Sequence, residues 1–319
     1  MINQKKKLII IDSNSVLHRA YHALPSLTTK KGEVVNALYG FLLVFFKVIK
    51  EFRPEYIVAC FDFPAPTFRH KEFKDYKAKR PPTPPNLKEQ IPKIKDVLKV
   101  FNVPIFEKEG FEADDLIGTI AYLAKEKKEF VETEAIIISG DLDLLQLVDS
   151  QTKVFLLRKG VKDTVLYDEE KVKEKYSGLK PEQISDFKAL KGDSSDNLSG
   201  IVGIGEKTTI DLLKKFENLE NLFKEIEQQS KKAKELSPKL KILLSKEKEK
   251  AFFFKTLTEI EKNIPLDFNQ EKCRWKEYDK EKATKVLEDF EFHSLIKRLP
   301  EIDQNLDSGP KSSNLCFPF

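Results

Sequence analysis

Nine acidic residues stand where an apolar run has just ended or a helical pattern is about to begin: Asp12, Asp62, Glu112, Asp114, Asp115, Asp141, Asp143, Asp193 and Asp196. Asp12 follows Leu8-Ile9-Ile10-Ile11 and Asp62 follows the run Tyr56 to Phe61, while Asp141 and Asp143 come after Ala135 to Ile138 by way of Ser139 and Gly140. A single Asp in such a place is ordinary, because Asp starts turns and caps helices. Glu112, Asp114 and Asp115 precede a helical pattern and would complement its dipole, which accounts for one or two acids better than three. Asp193 and Asp196 could be capping groups in Asp193-Ser194-Ser195-Asp196. If these acids converge, they repel one another and must be protonated or neutralised. Hard oxygen donors of this kind suit Mg²⁺ or Mn²⁺ rather than zinc. Divalent cations held in an acidic pit within a basic surface are what phosphodiester chemistry requires.

The elements that would bring these acids together are legible in the apolar pattern. Leu8 to Ile11, Tyr56 to Phe61 and Ala135 to Ile138 are continuous apolar runs, which suit parallel strands covered on both faces. Val34, Val35, Leu38, Phe41, Leu42, Phe45, Phe46 and Ile49 recur at helical spacing, as do Leu116, Ile117, Ile120 and Leu123. A shorter strand is read at Val103 to Phe106. Alternating strands and helices imply an α/β, mostly parallel sheet with right-handed crossovers and helices on both faces. Ligands of such sheets collect outside the carboxyl ends of the strands, where Asp12, Asp62, Asp141 and Asp143 fall. Lys153 to Asp168 reads as an antiparallel hairpin at a sheet edge.

Past Pro181 the strand signals stop and a helical second unit follows. Gly200 to Lys207 precedes the helical pattern Ile210, Leu212, Leu213, Phe216. No buried strand leads into these glycines, so the dinucleotide fingerprint is excluded. The spacing suits a hairpin between two helices, where glycines let the backbone approach a phosphate and Lys207 adds charge. The boundaries expected are 1–180 for the α/β unit, with an arch at about 66–100, then 181–299 for the helical unit and a disordered tail over 300–319. Pro81-Pro82-Thr83-Pro84-Pro85 should hold part of the arch extended.

Composition narrows the class. The longest apolar run, Ala37 to Phe46, is far shorter than the roughly 20 residues a membrane helix needs. The start, MINQKKKLIIID, carries no cleavage site of a secretory signal. Three cysteines without a CxxC pair point to a reducing, cytoplasmic setting. Net charge is only +4, but setting the nine acids aside would leave +13, and Arg69 to Lys99 alone holds ten Lys/Arg against four acids. Such a segment can be solvated surface or a phosphate-binding one.

The motifs LIIIDSNSVLHRAYHAL, VACFDFPAPTFRH, YKAKRPPTP, EGFEADDLIGTIA, ISGDLDLLQLV and LKGDSSDNLSGIVGIGEKTT, in this order, resemble the 5′–3′ exonuclease domain of bacterial DNA polymerase I. More distantly the chain is similar to phage 5′-nucleases and flap endonucleases. The likeness runs from about Leu8 to about Leu299. It implies a PIN-like (resolvase-like) nuclease unit and a helix-hairpin-helix unit, with two Mg²⁺ or Mn²⁺ ions in the active site. Asp12, Asp62, Glu112 and Asp114 resemble the ligands of a first ion, and Asp114, Asp141, Asp143 and Asp196 those of a second. Asp115 and Asp193 are near neighbours, acting through water. Lys77 and Arg80 match the basic pair that contacts the scissile phosphate. Further nucleic-acid contacts are implied at His18, Arg19, Tyr21, Arg69, Tyr76, Gly203, Gly205 and Lys207, with K⁺ at the hairpin. Partners would be DNA with 5′ flaps, nicks or RNA primers, and a DNA polymerase in trans or in the same longer chain. The protein would act as a monomer in the bacterial cytoplasm, associated with the nucleoid.

Two positions depart from the pattern. His18 stands where relatives carry Tyr or Phe, and imidazole stacks on a base more weakly. Ser199 replaces a Pro. No polymerase domain follows, so the chain is read as a free-standing nuclease or a piece of a longer protein. Two other classes compete: a non-catalytic DNA-binding module, which has no need of nine like charges, and a PIN-type ribonuclease, which leaves the hairpin unexplained.

Overall fold

The computed structural model describes residues 5–126, 133–275 and 277–301. Six strands form one sheet in the order β3-β2-β1-β4-β5-β6. The strands are β1 (Lys6–Asp12), β2 (Tyr56–Cys60), β3 (Ile105–Phe106), β4 (Thr133–Ser139), β5 (Thr152–Leu157) and β6 (Thr164–Tyr167). All pairings are parallel except that of β5 with β6, so only the outermost strand of the expected hairpin runs antiparallel to the sheet. The chain winds outward from β1 through β2 to β3, then crosses to β4 on the other side of β1. Winding therefore reverses between β1 and β4, which leaves a crevice at their carboxyl ends.

Helices cover both faces because strand side chains alternate. Ile9, Ile11, Ile57, Ala59, Ile136 and Ile138 pack with α1 (Ser13–Ala23) and α2 (Asn36–Phe52). Leu8, Ile10, Val58, Cys60 and Ile137 pack on the opposite face. Between β2 and β3 lie α3 (Phe68–Glu72), α4 (Pro85–Lys88) and α5 (Gln90–Val100), and then α6 (Ala113–Glu126) covers the second face. The proline-rich stretch is extended only as far as Pro84 (φ −53°, ψ 139°), because Pro85 opens α4 at a position that needs no backbone N–H.

After α7 (Glu169–Lys175), a third core forms around α8 (Ile184–Lys191), α9 (Glu206–Phe216) and α10 (Leu219–Glu227). The short α11 (Lys231–Lys234), α12 (Pro238–Lys246) and α13 (Lys248–Thr258) complete that part of the chain. The expected helical unit to residue 299 is divided in the structure. Ile260, Ile264, Phe268 and Cys273 return to the α6 face of the sheet. Residues of α14 (Lys280–Asp289) and α15 (His293–Ile296), including Ala283, Leu287 and Leu295, join the α2 face. Their apolar side chains find the larger core there, which helical periodicity alone does not predict. The tail expected to be disordered lies, beyond residue 301, outside the described residues, as does Cys316. Cys60 and Cys273 are free and buried. Among the described residues no helix is long and apolar enough to cross a membrane.

Candidate metal centre and nucleic-acid interface

Asp12 ends β1 and caps α1, with Oδ1 accepting from the Ser15 N–H at 3.1 Å and Oδ2 from Ser139 Oγ at 2.6 Å. The second bond ties the end of β1 to the end of β4. Asp62, just past β2, accepts from the Ala113 N–H at 2.8 Å, which docks the first turn of α6 beside β2. Ser139 Oγ in turn accepts from the Asp141 N–H, and Asp141 Oδ1 from the Asp143 N–H, both at 2.9 Å. Short local bonds thus turn each strand end so that its acid sits at the crevice.

The electrostatics show carboxylates crowded together. Burial, with Asp62 and Asp141 nearby, pushes Asp12 up from 3.8 to about 7. Burial raises Asp62, with Glu112 adding to the effect. Burial raises Asp114 too, helped by Asp12 and Asp141. Asp143 is pushed up to about 7, again by burial and then by Asp141. Among the described residues none of Asp12, Asp62, Asp114 and Asp141 forms an ion pair, whereas cations reach the other acids of the cluster.

Those cations come from the segment between α3 and α4 and from α8. Lys77 Nζ donates to Glu112 Oε1 at 2.7 Å, and Arg80 Nη2 to Asp196 Oδ1 at 2.6 Å. Tyr76 is buried, and its OH lies 3.2 Å from Glu112 Oε2 and 3.1 Å from Asp196 Oδ2. Lys188 bridges Asp143 and Asp193. Burial would raise Asp193, but the Lys188 ammonium and hydrogen bonds from Ser195 outweigh it and hold that carboxyl at about 2. Lys188 escaped the sequence reading; its one signal is its place a helical turn before Gly192 and Asp193.

One group among the described residues, Asp143, Asp193 and Asp196, brings its carboxylate oxygens within 4.8 Å of one another, close enough for one cation. All donors in the cluster are carboxylates, and several are raised by burial and by one another's charge, so the site fits a hard divalent ion. His18 and His22 are spaced four apart on α1, as a zinc pair can be, but among the described residues they do not join a ligand group.

Of the expected nucleic-acid contacts, Arg69 is withdrawn from the surface. Arg69 is only 2% exposed and Asp115 is 0% exposed, each buried against the other, so Arg69 is closed off from DNA. The reason is geometric: α3 lays its arginine inward, across the start of α6. Arg19 is half-buried and donates from Nη2 to the Gly140 carbonyl at 2.9 Å, bracing the loop after β4. His18 is half-buried, and burial together with His22 lowers its pKa. Tyr21 meets the His22 ring edge-on at 5.2 Å. At the hairpin, Gly203, Gly205 and Lys207 are exposed, and the Val202 tip is 76% exposed. Gly205 caps α9.

A doubly covered, mostly parallel sheet with clustered acids at its reversal point, joined to a glycine hairpin between helices, defines a nuclease scaffold. Residues 7–177 match the family described as 5′-3′ exonuclease, N-terminal resolvase-like domain, and residues 179–281 match 5′-3′ exonuclease, C-terminal SAM fold. The chain therefore belongs to the 5′–3′ exonuclease family. Among its relatives is DNA polymerase I of Bacillus subtilis, 41% identical over 94% of this chain. The chain spans 33% of that relative's length. The 5′-3′ exonuclease of Aquifex aeolicus is 39% identical over 93% of this chain and 96% of its own length. That of Mycoplasma genitalium is 37% identical over 93% of this chain and its own full length. The fold matches the T5 D15 protein co-crystallised with metal ions, with a TM-score of 0.63 at 21% identity over 80% of this chain and 90% of that one. It also matches the catalytic core of Rad2 in complex with DNA substrate, with a TM-score of 0.56 at 16% identity over 90% of this chain and 88% of that one.

Proposed function

We propose that this chain is a structure-specific 5′–3′ DNA exonuclease and 5′-flap endonuclease, hydrolysing phosphodiesters to leave a 5′-phosphate and a 3′-hydroxyl. The observation that carries the reading is the set of unpaired, raised carboxylates brought to one crevice, Asp12 and Asp62 at the carboxyl ends of β1 and β2 and Asp114 in the first turn of α6. Asp12, Asp62, Glu112 and Asp114 would hold one Mg²⁺ or Mn²⁺, and Asp114, Asp141, Asp143 and Asp196 a second, with Asp193 beside them. Bound there, the ions supply charge neutralisation and activation of water for in-line attack on phosphorus.

The chain's own residues do the rest. Lys77 and Arg80 belong to the arch, and both are held at the acid cluster in this structure by charges that a phosphate can replace. They bind the scissile phosphate and stabilise its added negative charge. The exposed hairpin, with Gly203, Gly205 and Lys207, takes duplex backbone without reading sequence, and it would be the place to hold a K⁺ ion. His18, half-buried on α1 and within reach of the charges of Asp62 and Arg80, stacks on a base.

The substrates in this reading are 5′ flaps, nicks and RNA primers on DNA, met during primer removal and repair. A DNA polymerase would act with it, in trans or in the same longer chain, and the nuclease would work as a monomer in the bacterial cytoplasm at the nucleoid. The test is cleavage of a 5′-flap DNA beside a plain RNA strand, with Mg²⁺ or with a chelator. We expect Mg²⁺-dependent flap cutting that Asp141→Ala abolishes while DNA binding stays nearly intact. Preferential cutting of the RNA strand would favour a PIN-type ribonuclease instead, and binding without metal-dependent cutting would make the chain a binding module.

A further inference from the structure

We propose that Arg69 and Asp115 form a buried positioning clasp that sets Glu112 and Asp114 at the metal site, touching neither DNA nor metal themselves; this rests on the nuclease reading above. Asp115 and Asp114 are neighbours in sequence with opposite fates. Asp115 accepts two bonds from the Arg69 fork, Nη1 to Oδ2 and Nη2 to Oδ1, both at 2.8 Å. It also accepts from the Glu112 N–H at 3.0 Å and from the Glu261 N–H at 3.0 Å. An ionised carboxylate has about four lone-pair sites, and here all are taken, so no oxygen is left for a cation or its water. Asp114 accepts no such bond from a described residue and feels Asp12 and Asp141 instead.

Arg69 is equally committed. Its Nε donates to the Leu257 carbonyl at 3.0 Å and its Nη2 to the Glu259 carbonyl at 2.7 Å, while Nη1 lies 3.5 Å from Glu112 Oε2. One side chain therefore joins three pieces of chain: the start of the arch, the first turn of α6 and the segment returning from the helical unit. The Glu112 N–H is held by Asp115 and the Ala113 N–H by Asp62 at 2.8 Å. With both amides fixed, the turn has little freedom, and the side chains of Glu112 and Asp114 are aimed by it. A planar fork fits this role, whereas a lysine ammonium cannot make the same set of bonds.

The experiment uses the full chain with Arg69→Lys, Asp115→Asn and the double variant, each checked by circular dichroism. Mn²⁺ binding is read by electron paramagnetic resonance, and 5′-flap binding by anisotropy in chelator. Both single variants should weaken Mn²⁺ binding by about tenfold or more, the scale on which partners of metal ligands act, with the number of ions at saturation unchanged. The double variant should be no worse than the worse single one. DNA affinity in chelator should stay within about twofold, as for residues that touch no phosphate. Loss of one ion in Asp115→Asn alone would make Asp115 a ligand and overturn the clasp. So would weakened DNA binding in Arg69→Lys with Mn²⁺ binding unchanged. If Asp115→Asn does not fold, unaltered Mn²⁺ affinity in folded Arg69→Lys overturns the proposal by itself. A wild-type chain that bound no Mn²⁺ would sink the nuclease reading and the clasp with it, whereas normal wild-type binding matched by both variants would sink the clasp alone.

Discussion

Lys188 places its ammonium between Asp143 and Asp193, where a divalent cation would otherwise offset their repulsion. In the metal-free chain it acts as an internal counter-ion, and Asp143, though so paired, is still pushed up to about 7 by burial and Asp141. Replacing it with Met leaves partly buried carboxylates side by side without a partner. Breaking a buried pair in this way costs about 3 kcal/mol, reduced here because the pair is not fully enclosed. We predict that Lys188→Met lowers the metal-free melting temperature at pH 8 and that Mg²⁺ restores more of it than it adds to the wild type. Equal Mg²⁺ shifts in the two proteins would show that Lys188 does not share the cation's place.

The hairpin between α8 and α9 depends on two backbones passing very close. Gly200 has φ +61°, and a Cβ there would lie 2.4 Å from the Gly192 nitrogen and 2.4 Å from the Lys191 carbonyl carbon. Both are main-chain atoms and cannot give way. Gly205 is different: its φ is −93° and a Cβ would meet nothing within 4 Å. Gly200→Ala should therefore destabilise the chain by about 2–4 kcal/mol, seen in urea denaturation. Gly205→Ala should leave stability within about 0.5 kcal/mol, yet weaken binding to duplex DNA if the backbone there approaches phosphate. Unchanged DNA affinity in Gly205→Ala would argue that the backbone at this cap keeps its distance.

Across the molecule, the crowded acids tie stability to pH and to metal. Asp12 and Asp143 titrate near 3.8 when unfolded and near 7 when folded, so the native state holds more protons between those values. Stability of the metal-free chain from these groups is therefore present at low pH and lost as pH rises through about 4 to 7. Asp62 and Asp114 shift the same way, while Asp193, held at about 2, gains its stabilising effect below that window. Cations bind the deprotonated acids and reverse the loss. We expect the metal-free melting temperature to fall between pH 5 and pH 8, with a larger rise on adding Mn²⁺ at pH 8 than at pH 5. Scanning fluorimetry showing a flat metal-free profile would refute this coupling.

Apolar runs by themselves determine the strands and, through the parallel rule, which ends of them carry acids. Runs such as Ile9 to Ile11 have no polar face to expose, so a doubly covered sheet is the arrangement that buries them. The run at Val103 to Phe106 shrinks to the two residues Ile105–Phe106, because it lies at the sheet edge with one partner only. Partnership between distant side chains could not be read that way. Nothing in the spacing of Arg69 and Asp115, or of Tyr76 and Asp196, says that they meet; the crossing of α3 over α6 and the return of residues 257–261 decide the first, and the docking of the segment after α3 on the turn after α8 decides the second. The set of nine carboxylates is thus divided by packing. Some acids are left without a cation at the crevice, some are held by Lys77, Arg80 or Lys188, and Asp115 is withdrawn into a buried ion pair, since burial and partner choice are properties of three-dimensional contact rather than of order along the chain.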